Sequence, residues 1–89
     1  MAKFKDFEIR IISDYQRKFE IVKWKESNSF NHTCFTIGYL EWDEKEGAFN
    51  FKSCGTRYLK YREDGLEKWI LAWCEMKKIE FKYEEEEKS

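Results

Sequence analysis

The chain has 89 residues, with 17 basic and 18 acidic side chains, 42% hydrophobic residues and 39% charged ones. That length makes one domain with a thin core, and that composition excludes a disordered polymer. The balanced, interspersed charge excludes a strong field for nucleic acid or an anionic membrane.

No apolar run approaches the roughly 20 residues that span a bilayer. The segment Met1-Ala2-Lys3-Phe4-Lys5-Asp6 lacks the apolar stretch of a signal peptide, and a cytoplasmic location is expected. The core relies on large side chains: 19% of the residues are aromatic, and each buried ring removes about 150–250 Å² from water. Cys34, Cys54 and Cys74 have no close pairing and lie among apolar neighbours. Reduced, semi-buried thiols are expected rather than a disulfide framework.

Phe7-Glu8-Ile9-Arg10-Ile11 alternates apolar and charged residues, the pattern of a half-buried strand. A polar turn at Asp14 to Arg17 leads to a second strand, Phe19 to Trp24, whose alternation changes phase between Ile21 and Val22 and predicts a bulge there. Ser27 to Thr33 has the composition of a loop, with Phe30 in its middle. Cys34–Trp42 and Ala48–Ser53 form the clearest hairpin. Gly47 suits a left-handed position closing the loop, which pairs Asp43 with Ala48, Trp42 with Phe49 and Leu40 with Phe51. Glu41, Asn50 and Lys52 then share the polar face.

After the break at Cys54-Gly55, residues 56–63 fit either a helical turn or a strand. From Leu66 the period is helical: Leu66, Trp69, Ile70, Trp73 and Cys74 make one apolar stripe, Asp64 is a suitable cap, and Leu71 falls outside the stripe. A helix covered on more than one side follows from that misfit. Ile79 to Tyr83 alternates again and predicts a short last strand, and Glu84 to Glu87 an acidic tail that frays. The expectation is an α+β domain over residues 1–83, a small antiparallel sheet of about four strands with one C-terminal helix, from about Asp64 to Lys78, packed on it, followed by the tail at 84–89. Its core is expected to comprise Phe7, Ile9, Ile11, Phe19, Ile21, Leu40, Trp42, Phe49, Phe51, Leu66, Trp69, Ile70 and Trp73.

Chemistry-bearing motifs are sparse. His32, Cys34, Cys54 and Cys74 are zinc-ligand types, but zinc sites place ligands in local pairs and only His32 and Cys34 are close in sequence. The lone histidine has no nucleophile and orienting group to work with, and no Gly-rich phosphate loop is present. No catalytic residue, metal or cofactor is expected, and no enzyme. An aromatic sheet face carrying Tyr39, Phe49, Phe51, Tyr58 and Tyr61, with Lys52, Arg57, Lys60 and Arg62 on phosphates, would bind single-stranded nucleic acid. The thin core has first claim on those rings, and the neighbouring acids repel phosphate.

Phe35-Thr36-Ile37-Gly38-Tyr39-Leu40-Glu41-Trp42 and Arg57-Tyr58-Leu59 through Gly65-Leu66-Glu67-Lys68-Trp69-Ile70 resemble small uncharacterised proteins of phages and prophages from low-GC bacteria, over about the last two-thirds of the chain. The resemblance implies an accessory protein that binds and modulates a host protein such as a defence nuclease, and it assigns no functional residue. Together with an aromatic excess lacking catalytic chemistry, it leads to a non-catalytic protein-binding module as the expected function. Single-stranded nucleic-acid binding is the alternative. The expected contacts to a protein partner are Phe30, Tyr39, Tyr58 and Tyr61, with the acids Glu41, Asp43, Glu44 and Glu46 facing a basic surface. An exposed edge strand would also permit a homodimer.

Overall fold

The structure, a computed structural model, describes residues 2–26 and 32–88. Five strands, β1 (Ala2–Phe4), β2 (Phe7–Ser13), β3 (Lys18–Glu26), β4 (His32–Asp43) and β5 (Ala48–Ser53), form an antiparallel meander in the order β1-β2-β3-β4-β5. Two helices follow, α1 (Arg57–Tyr61) and α2 (Leu66–Lys88). The α+β class is as expected, with one strand more. That strand, β1, is three residues long, too short to show a period in sequence. Residues 56–63, ambiguous in sequence, hold helix α1. No helix among the described residues is long and apolar enough to cross a membrane.

The β4–β5 hairpin has the expected register. Trp42 pairs with Phe49, Leu40 with Phe51 and Asp43 with Ala48, and Gly47 closes the turn at φ +64°. The shift between Ile21 and Val22 is also present, but the extra residue lies in β4: Ile21 pairs with Gly38 and Val22 with Thr36. Ile37 is the residue skipped, and its side chain is fully buried. A bulge turned inward thus adds an apolar side chain to the core.

One face of the sheet carries Phe7, Ile9, Phe19, Ile21 and Leu40, which pack with Leu66, Ile70, Trp73 and Phe81 of α2 and Tyr58 of α1. The opposite face is polar with a buried patch. There Trp24 Nε1 donates to Glu8 Oε1 at 3.1 Å, and Thr36 Oγ1 donates to Glu20 Oε2 at 2.9 Å. Those bonds satisfy groups that burial would otherwise penalise.

The alternation at Ile79 to Tyr83 is not a strand; α2 continues through it to Lys88. The apparent period of two comes from two helical stripes interleaved. Leu66, Ile70, Trp73 and Phe81 repeat at helical spacing toward the sheet, while Met76, Ile79 and Tyr83 repeat at three and four residues on another side. No Gly or Pro interrupts the run from Leu66 to Lys88.

The acidic segment expected to fray is helical as well. Carboxylates at a helix C-terminus oppose the helix dipole. Arg17, in the β2–β3 turn, counters them: its guanidinium lies 4.1 Å from the Phe81 ring centroid and 3.4 Å from both Glu84 and Glu85. Arg17 holds a left-handed φ of +52°, a conformation that is unfavourable for its residue type and that these contacts offset.

Candidate protein-binding groove

The sheet has two edges. On β5, the direction of the backbone groups follows from the ladder. Trp42 N donates to Arg17 O at 3.2 Å, so Trp42 and Leu40 bond toward β3, and Asp43, Glu41 and Tyr39 bond toward β5. Their partners Ala48, Asn50 and Lys52 face inward. The N–H and C=O groups of Phe49 and Phe51 therefore point outward along the open edge.

Beside that edge lies a groove of about 350 Å³ between β5 and α2, floored by Leu40, Phe49, Tyr58 and Ile70 and walled by Phe51 and Leu71. Phe51 is 44% exposed and Leu71 59%. Phe51 stacks edge-on against Tyr58 at 4.7 Å, and its ring lies over Gly38, where a Cβ would come within 2.6 Å of it. Gly38 thus leaves the space in which Phe51 forms the wall.

Cys74 also lines the groove, and its burial, with a smaller contribution from Glu75, pushes the thiol up to about 11. The thiol stays protonated at neutral pH and behaves as an apolar lining atom. Burial likewise raises the Tyr58 phenol, Glu67 adding to the rise and Arg62 opposing it. Arg62, Glu67, Glu75 and Lys78 make a rim of mixed charge.

Of the partner contacts expected from sequence, Tyr58 alone among the described residues lines this groove. Phe30 lies outside the described residues. Tyr39 and Glu41 project from the face opposite α2, where Glu41 is flanked by Lys52 at 3.5 Å and Lys18 at 3.8 Å. Asp43 is occupied with its own turn, its Oδ1 accepting from the backbone N–H groups of Lys45 at 2.9 Å and Glu46 at 3.2 Å. Glu44 and Glu46 are exposed at the hairpin tip. Tyr58 is largely buried, packed with the core at the groove floor where α1 folds back onto the sheet. Tyr61 is half-buried, edge-on to Phe35 at 4.8 Å.

The residues of the nucleic-acid alternative are divided between the two faces. Phe49 and Tyr58 belong to the core side and Tyr39 to the other face. Lys52 pairs with Glu41 on that other face, Arg57 donates to the Thr36 carbonyl at 3.3 Å, Lys60 lies 5.3 Å from the Tyr61 ring, and Arg62 is at the groove rim. Cys34, Cys54 and Cys74 are free thiols, and no group of three His, Cys, Asp or Glu residues that could hold a metal ion is found among the described residues.

The groove was missed because Phe51 reads as core in any register that buries Leu40. Its one signal in sequence is Leu71, the apolar residue off the main helical stripe. Comparison with family models, with curated proteins and with solved structures gives no match to this chain.

Proposed function

We propose that the protein is a non-catalytic binding module that takes an extended segment of a partner protein as a sixth strand on β5. One observation carries the reading. The free backbone groups of Phe49 and Phe51 run alongside an apolar groove bounded by a helix. Strand addition uses these two parts together: main-chain hydrogen bonds give affinity, and a groove taking every second side chain gives selectivity. The partner segment would carry apolar residues at alternate positions, facing Phe51, Ile70 and Leu71, and polar residues between them. The resemblance to phage and prophage accessory proteins makes a host protein the partner class, with the module acting by occupying or redirecting it.

The test is affinity selection of the full chain against a random peptide library. Peptides with alternate apolar residues, competing with one another and losing affinity for the Leu71→Glu variant, are expected. Selected peptides without that pattern, or equally bound by Leu71→Glu, would sink the reading. Selection failing while labelled single-stranded oligonucleotides bind with steep salt dependence would replace it with the nucleic-acid alternative.

A further inference from the structure

Helix α2 has a second apolar stripe that lies outside the core cluster. Ala72, Met76, Ile79 and Tyr83 are spaced by four, three and four residues, the seam of two helices packed side by side. All are exposed, Met76 by 50%, Ile79 by 67% and Tyr83 by 65%. At about 100° per residue, the stripe lies roughly a third of a turn from the side facing the sheet and away from the β5 groove. Three large apolar side chains in line are more than scattered surface residues.

We infer that this stripe pairs with the same stripe of a second copy, the two α2 helices running antiparallel about a two-fold axis between Lys77 and Lys78. Two features select that occupant. The first is shape. In this alignment Met76 meets Ile79 of the second copy, and Ala72, the smallest member, meets Tyr83, the largest, so large sits against small at both ends. The second is charge. The positions flanking the seam bring Glu75 beside Lys82 of the second copy, and the dyad repeats the pair. A parallel arrangement would instead set Glu75 against Glu80 of its neighbour, a like-charge contact. The helix length needed is present because α2 continues through residues 79–88.

An interface of about three helical turns buries less than the ~800 Å² per partner of a standard complex, so association on the order of tens of micromolar is expected. The apolar seam lies away from the β5 groove and shares with its rim the flanking Glu75, so Ile79→Glu tests the pairing without touching the groove. Sedimentation equilibrium of the full chain over a concentration series should show mass rising from 11.0 kDa toward twice that value. Ile79→Glu should weaken association at least roughly tenfold without changing the circular dichroism spectrum, since the side chain is exposed. Glu75→Lys and Lys82→Glu should each weaken it about three- to tenfold, and the double variant should restore it. A single 11.0 kDa species up to about 1 mM would overturn the inference. So would a dimer indifferent to Ile79→Glu, or one strengthened by Glu75→Lys, which a parallel pairing requires.

Discussion

The two edges of the sheet differ in how they are finished. On β2, β1 pairs with Phe7 to Ile9 only, leaving the strand open from Arg10 onward. That stretch is interrupted, with a register shift between Ile11 and Ser13, and the cleft beside it is flanked by Lys3, Arg10 and Lys77. A bulge and charged side chains are what discourage an edge from pairing with another chain. On β5 the register is regular from Ala48 to Ser53, and the helix-bounded groove runs alongside it. The β2 edge is broken by a register shift and the β5 edge is not, a difference that supports the proposed pairing on β5.

That comparison can be broken by matched substitutions. Phe51→Ala and Leu71→Glu are expected to weaken a selected peptide by roughly 30-fold or more, the effect of losing an interface anchor. Ile11→Glu, at the β2 edge, should leave affinity unchanged; isothermal titration of the three variants decides. Stability should divide the edges too. Phe49 contacts Phe19, Trp42, Trp73 and Phe81, so Phe49→Ala should cost about 3 kcal/mol in urea unfolding. Ile11 is 61% exposed, and Ile11→Ala should stay within about 0.5 kcal/mol.

A smaller effect concerns the helix that walls the groove. Arg17→Ala removes the cation over Phe81 and both carboxylate contacts while leaving the left-handed backbone as strained as before. A loss of about 1 kcal/mol is expected, with faster amide exchange confined to residues 82–88. The smallest effect is in pH. Cys74 titrates near 11 in the folded chain against an ordinary 9.0. Folding favours the protonated thiol, so its contribution is complete below pH 9.0 and is lost as pH rises toward 11. Cys74→Ala should flatten that part of the stability profile, and a bound peptide should slow alkylation of the thiol.

Much of the fold was legible because local rules agreed. Gly47 and the alternation around it set the β4–β5 register, and the spacing from Leu66 to Cys74 gave the helix. The failures share one cause. Alternation tells which face a side chain takes but not whether anything covers that face. Ile11 and Phe51 both point to the core side, yet Ile11 is 61% and Phe51 44% exposed because the helices do not fully cover them. At Ile79 to Tyr83 two helical stripes in one short window imitate a strand, and only the uninterrupted helix-forming run through Lys88 separates the cases. The acids at the hairpin tip and on the Tyr39 face are visible in composition alone, whereas the groove depends on which strand ends the sheet. β5 ends the sheet because the chain leaves it after Ser53 for α1 and α2, which the apparent strand at Ile79 to Tyr83 concealed.

Pairing of β5 through its outer edge is read out by amide hydrogen exchange at residues 48–53. In the free protein, Asn50 and Lys52 should be protected and Phe49 and Phe51 should exchange quickly. With a saturating selected peptide, Phe49 and Phe51 should become protected while Asn50 and Lys52 change little. Peptide binding that leaves both phenylalanine amides fast-exchanging, or protects Ile11 instead, would contradict the account.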